Sequence, residues 1–326
     1  MDCPACSGLM RRWIAMPIDA KKDEPTPFGR ILRCDGCGLA RSSRMPDPAE
    51  VGGFYDLKSY YTHGESHMHA VSPGLIDRIL IRLAWAADRA TPFDVDAVAA
   101  MLPSGGRVLD IGCGDGEKLA AFRERGFDVL GIDPDPGSRA YVASQGLTAL
   151  PGTAEAPPSE LADRRFDLVI MSHALEHCID PMRALATMRQ LTAPGGIGYI
   201  EVPNAACHHF ETFRQCSEMF DAPRHLWFFT PDGLAKMADA AGLDIAAWRH
   251  NGFTRLFTPS WRAWECEIHD RLARRGIAGG AKRHSRWRSV MLLARAAFAP
   301  ANRKYDSIGI LTRVPDRSGA TLRVAA

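Results

Sequence analysis

The sequence predicts an α/β chain: a doubly wound parallel sheet flanked by helices, preceded by a small cysteine-bearing module. Three observations predict it. Apolar, β-rich runs at Arg107–Ile111, Asp128–Ile132, Phe166–Met171 and Gly198–Val202 alternate with stretches of helical periodicity, the pattern of strands joined by crossover helices. Gly112, Gly114 and Gly116 follow the first run directly and precede a helix at Glu117–Arg125, a strand-to-helix turn suited to close backbone approach by a ligand. Cys3, Cys6, Cys34 and Cys37 form two Cys-x-x-Cys pairs ahead of all this.

With 326 residues, 46% of them hydrophobic, the chain can bury one large core and a smaller one. Composition divides it into a cysteine-bearing module (1–45), a polar and aromatic connector (46–103), the α/β domain (104–315, with a basic insertion at about 253–304) and a tail (316–326). CPACSG and CDGCGL stand 27 residues apart. Four thiolates so placed close a tetrahedral zinc site with no position left for substrate, so its role is structural. The small residues after each second cysteine let backbone N–H groups turn toward sulfur. A dithiol redox pair or incidental thiols are the competing readings. Cys113, Cys178, Cys207, Cys216 and Cys266 lack such spacing and read as packed thiols.

The glycine loop carries more chemistry. Asp133 ends the next strand, 21 residues after Gly112, where a carboxylate accepts the two hydroxyls of a ribose. Asp110 stands two residues before the first glycine, and the spacing is GxGxG where a dinucleotide site has GxGxxG. A carboxylate at the loop mouth repels a pyrophosphate but suits an ammonium and a sulfonium. The cofactor expected from this is S-adenosylmethionine, and a nicotinamide oxidoreductase is disfavoured.

These segments, VLDIGCGDG, VLGIDPDP, FDLVIMSHALEHCIDP, PGGIGYIEVPN and RHLWFFTPDGLAKMADAAGL, resemble in content and order the class I S-adenosylmethionine-dependent methyltransferases, from about Arg107 to Val314. The resemblance implies a Rossmann-like, mostly parallel seven-stranded sheet with an antiparallel last strand. It also implies cofactor contacts at Asp110, Gly112, Cys113, Gly114, Gly116, Asp133, Pro134, Ala154, Glu155, Ser172 and His173. The front of the chain, through CGLARSSRMPDPAEVGGFYDLKSYYTHG, resembles a zinc-ribbon-bearing bacterial subgroup whose members often modify cell-surface sugars or small metabolites. In that subgroup an aromatic pair lies over the cofactor pocket, which implies a contact from Tyr60 or Tyr61. Packing of the connector against the core is the alternative.

Methyl transfer is an in-line displacement in which orientation supplies much of the catalysis. A hydroxyl or carbon acceptor still has to lose a proton, and histidine is the usual base. His173 and His177 follow the fourth strand at its carboxyl end, where α/β sheets bind ligands. His225 lies in RHLWFFTP. All three are candidate catalytic residues, with Glu176 placed to orient an imidazole. His208 and His209 follow the fifth strand, where substrate-facing residues are often found, but a surface loop is the stronger reading.

Further on, Thr230 and Pro231 begin a helix over Leu234–Ala241 that Gly242 ends, and strands are expected at Leu243–Trp248 and Ser307–Val314. Between them, Arg271–Lys304 holds ten basic residues and no acidic one, interleaved with Trp287, Met291, Leu292, Leu293 and Phe298. This reads as a solvated helix over the core, or as a basic amphipathic lid meeting an anionic substrate or, peripherally, a membrane surface. The net charge of +2 disfavours a nucleic-acid partner. No apolar run is long enough to span a bilayer, and the first residues lack a signal-peptide pattern, so a cytoplasmic location is expected. The function expected is O- or C-methylation of a sugar or other small-molecule acceptor. A zinc-containing RNA methyltransferase and a catalytically silent scaffold are the alternatives.

Overall fold

A computed structural model describes residues 2–55, 68–277 and 280–315. The N-terminal segment forms strands β1 (Met10–Ala15), β2 (Ile18–Asp19), β3 (Glu24–Pro25), β4 (Arg30–Cys34) and β5 (Ala40–Ser42), then helices α1 (Pro48–Val51), α2 (Leu75–Ala87) and α3 (Val95–Ala99). The α/β part follows as β6 (Arg107–Ile111), α4 (Glu117–Glu124), β7 (Asp128–Asp133), α5 (Pro136–Ser144), β8 (Ala149–Pro151), β9 (Phe166–Ser172), α6 (Pro181–Leu191) and β10 (Thr192–Pro203). The chain continues through α7 (His208–Phe213), β11 (Trp227–Phe228), α8 (Pro231–Ala240), β12 (Asp244–Asn251), α9 (Pro259–Arg274), α10 (Arg286–Ala296), α11 (Ala301–Lys304) and β13 (Ser307–Arg313).

Seven strands make the main sheet in the order β12-β13-β10-β9-β6-β7-β8. β10, β9, β6, β7 and β8 pair in parallel, while β13 is antiparallel to both β10 and β12. The seven-stranded, mostly parallel sheet with an antiparallel last strand is therefore as expected. Its strands read as continuous apolar runs because both faces are covered. In β9, Val169 and Met171 join Leu185, Met188 and Leu234 on one face. Leu168 and Ile170 join Val98, Phe122 and Tyr199 on the other, as the two-residue period of a strand requires. β10 begins at Thr192, well before the expected Gly198, across an irregularity of register between Thr192 and Ile197. The TAPGG stretch has no alternation from which a strand could be read.

The cysteine-bearing segment is joined to this domain through a shared sheet. The strands β1-β4-β5 are extended by β11, with Trp227 opposite Arg41 and Phe228 opposite Ala40. Thr230 caps α8 through Gly233 N–H (3.0 Å) and also donates its hydroxyl to the Cys37 carbonyl (2.7 Å).

The basic insertion forms α9, α10 and α11, and with α2 and α7 it builds a second core around Phe210, Phe213, Phe257, Trp261 and Trp264. At its centre the buried Glu265 carboxylate accepts from Trp261 Nε1 (3.0 Å) and Glu218 N–H (3.2 Å), and lies against His209 Nε2 (2.9 Å) and His284 Nδ1 (2.5 Å). Burial opposes the charge, but the two imidazoles hold Glu265 at a pKa of about 2. His209 is thus a buried structural residue rather than part of a surface loop. Its partners lie 56 and 75 positions further along the chain, beyond any local pattern.

Candidate active site

The glycine loop leaves β6 at the centre of the sheet. Gly112, Gly114 and Gly116 have φ of +76°, +52° and +76°, a region in which a side chain is strained. A Cβ on Gly112 would also fall 2.9 Å from the Ala174 Cβ, so the turn after β9 runs directly against the loop. Asp133 accepts from Gly114 N–H through Oδ2 (2.9 Å) and from Asp135 N–H through Oδ1 (2.9 Å). Both bonds fix the carboxylate and leave each oxygen a further lone pair for a ribose hydroxyl. Asp110 is buried on β6, and burial raises its pKa to about 6. Such a group ionises fully when a cation comes beside it. Positive-φ glycines, a fixed acceptor and a carboxylate awaiting a cation fit S-adenosylmethionine.

Other expected contacts take varied positions. The Cys113 side chain packs with Leu119, Val142 and Leu147, which leaves its backbone to the loop. Pro134 follows Asp133 at the end of β7. Ala154 is buried, while Glu155 accepts from Asp180 N–H (2.7 Å) and so ties the turn after β8 to the start of α6. The Ser172 hydroxyl donates to Glu201 on β10 (3.1 Å), and His173 N–H to the Glu201 carbonyl (2.8 Å). Tyr60 and Tyr61 lie outside the described residues.

The three candidate histidines meet around one carboxylate. Glu176 is fully buried, and among the described residues neither of its oxygens has a well-formed hydrogen bond. Its Oε1 lies 3.3 Å from His173 Nδ1, 4.0 Å from His177 Nε2 and 3.9 Å from His225 Nε2. His177 Nδ1 donates to the Arg224 carbonyl (3.0 Å), with the Tyr55 hydroxyl at the same distance, and His225 Nδ1 donates to the Met219 carbonyl (3.0 Å). A carbonyl only accepts, so these bonds fix both tautomers and aim both Nε2 lone pairs at Glu176. A carboxylate with two imidazoles pinned from behind is also a set that a divalent cation accepts.

The environments separate the imidazoles. Burial, with His225 nearby, lowers His177 to a pKa of about 4. Burial also disfavours a charged His173, but the Glu176 carboxylate outweighs it and raises the pKa above the usual value. The His173 side chain is 39% exposed, against 20% for His177 and 10% for His225.

Tyr55, Asp19 and Arg224 escape a reading of the sequence. Arg224 is buried, bonded to Asp19 (2.8 and 2.6 Å), Asp221 (2.9 Å) and the Phe54 carbonyl (2.9 Å). It pins the loop that carries His225 to the cysteine-bearing segment. Its place beside His225 in RHLWFF was the available signal. Tyr55 had none.

Cys3 Sγ and Cys37 Sγ are 3.6 Å apart, Cys6 Sγ and Cys34 Sγ 3.4 Å, and all four sulfurs lie within 4.8 Å of one another. A zinc tetrahedron with bonds of about 2.3 Å has edges of roughly 3.8 Å. A Cβ on Gly8 would come within 2.9 Å of Cys34 Sγ, and one on Gly36 within 3.3 Å of Cys6 Sγ. The residues form a cradle that fits a thiophilic metal.

Comparison with known proteins gives the family of the chain. A family model described as a methyltransferase domain matches residues 86–247. The ubiquinone biosynthesis O-methyltransferase of Cereibacter sphaeroides (strain ATCC 17025) is 32% identical over 61% of this chain and 83% of its own. That of Azorhizobium caulinodans is 31% identical over 61% and 82%. A solved S-adenosylmethionine-dependent methyltransferase from Archaeoglobus fulgidus matches at 18% identity over 68% of this chain and 94% of its own, with a TM-score of 0.43. The chain belongs to the class I S-adenosylmethionine-dependent methyltransferases, and it is an enzyme of that class.

Proposed function

We propose that the enzyme methylates a hydroxyl of a small organic acceptor, with His173 as the base, and that its four N-terminal thiolates hold a structural zinc ion. The observation that carries the reading is the His173–Glu176 pair. A partly exposed imidazole is backed at 3.3 Å by a buried carboxylate and stands on the turn that abuts the glycine loop. S-adenosylmethionine, when bound, supplies an electrophilic methyl group on a sulfonium. Asp133 would hold the ribose hydroxyls and Asp110 the ammonium. His173 takes the acceptor proton on its free nitrogen, Nε2, and Glu176 stabilises the resulting imidazolium through Nδ1. Tyr55 and the Arg224 carbonyl hold the His177 ring beside Glu176. The names of the similar enzymes, which are O-methyltransferases, favour oxygen over carbon as the acceptor atom.

The test is calorimetric titration with S-adenosylmethionine, with NAD as control, followed by acceptor screens among small hydroxylated molecules and sugar nucleotides. The expected result is selective S-adenosylmethionine binding and S-adenosylhomocysteine release only with a hydroxyl acceptor. A product whose new methyl group is carbon-bound by NMR would overturn the oxygen assignment. Asp133→Ala is expected to weaken cofactor binding about 10- to 100-fold, the worth of hydrogen bonds to a charged acceptor. Unchanged affinity would remove the ribose role.

Cofactor affinity should also depend on pH through Asp110. Its carboxyl is protonated below about 6 in the free enzyme, and the ammonium requires the carboxylate. Affinity is therefore flat above that pH and falls about tenfold per unit below it. Asp110→Asn removes this part of the dependence and leaves only that of Asp133, whose carboxyl burial also raises, and titrations across the range check it.

A further inference from the structure

Helices α2 and α10 lie side by side and run in the same direction. Near their N-termini Asp77 pairs with Arg286 (3.3 Å), and near their C-termini the Lys304 ammonium donates to the carbonyls of Ala87 (2.5 Å) and Ala297 (2.9 Å). Each buries a narrow stripe against the second core, Leu80 and Ala84 on α2 and Leu292, Leu293 and Ala296 on α10. Their outward faces are apolar as well. Leu75 (75% exposed), Ile79 and Leu83 project from α2, Trp287 (70%) and Met291 from α10, and Phe298 (97%) from just beyond it. Nine of the thirteen large hydrophobic side chains exposed among the described residues lie on these two helices or at Phe298. Solvated helices do not concentrate apolar surface in this way.

The fringe of the patch is basic. Arg78 and Arg82 flank it on α2 and Arg288 on α10. The one acidic residue on either helix, Asp77, is buried between Arg262 (2.6 Å) and Arg286. A second copy meeting this face through a two-fold axis would oppose arginine to arginine, which is costly. Anionic headgroups complement the arginines, and the acyl boundary beneath them takes the apolar side chains. Among the described residues no helix is long and apolar enough to cross a membrane, so contact is with the surface.

We propose that the α2–α10 face docks the enzyme on an anionic membrane surface. The inference rests on packing and charge, and stands whatever the acceptor proves to be. It is tested by flotation of the full chain with phosphatidylcholine vesicles, with and without phosphatidylglycerol. Binding is expected only where phosphatidylglycerol is present. The Trp287→Ser, Met291→Ser double variant should weaken it about tenfold or more. Changing Arg78, Arg82 or Arg288 to serine should cost about fivefold each. S-adenosylmethionine affinity and Tm stay at the parent values, since these side chains are exposed.

No binding to either vesicle, equal binding to both, or variants that bind like the parent would overturn the proposal. So would a dimer in sedimentation velocity that Trp287→Ser dissociates, since the face would then belong to a second copy.

Discussion

Replacing His173 by asparagine is expected to lower kcat for methyl transfer to a hydroxyl acceptor by about 10²- to 10⁴-fold, the usual contribution of a positioned base. Cofactor Kd should hardly change, because the glycine loop and Asp133 are untouched. The pH profile separates a base from a merely structural imidazole. A base works when neutral, so the parent rate rises with pH through the His173 pKa, which lies above the usual imidazole value. In Glu176→Gln the supporting charge is gone, and the rising limb should move to lower pH while the maximal rate falls. An unchanged kcat in His173→Asn, with the parent pH profile, would move the role of base to His177 or His225. His177 would be a weak base, since burial holds its pKa at about 4.

Cys34→Ser is expected to release the metal and unfold the N-terminal segment, because a structural zinc contributes most of the folding energy of so small a module. Metal analysis should fall from one zinc per chain toward none, with a lowered Tm. Full retention of zinc would count against the four-thiolate site. The loss should reach the active site. The Cys37 carbonyl holds Thr230, β5 holds β11, and Asp19 holds Arg224. Freed of Asp19, Arg224 no longer fixes the loop that carries His225, and truncating one member of such a buried pair typically costs about 3–5 kcal/mol. The module therefore braces the loop that carries His225, and kcat should fall further than cofactor affinity, to which the glycine turn and Asp133 contribute without any bond to that loop.

The sequence by itself determined the parallel sheet, the glycine loop and the four-cysteine cluster. Each of these is written in local pattern. A strand covered on both faces needs an unbroken apolar run, a tight turn against a ligand needs glycine at positive φ, and four thiolates need two close pairs. The same locality marked His173 and His177 through their position after β9, and Asp133 through its distance from Gly112. Only the tertiary structure decided that the His173 pKa is raised while that of His177 is lowered, that Glu176 lies unsatisfied among the three histidines, and that Asp19 and Tyr55 reach this site. It also turned His209 inward to Glu265 and His284, and it laid α2 beside α10 so that two amphipathic helices share one apolar, basic face. His173 and His177 are sequence neighbours of Glu176, but the other pairings join residues about fifty to two hundred positions apart. The physical reason they are not legible is that burial and charge neutralisation depend on neighbours supplied by folding, and no periodicity or spacing along the chain records them.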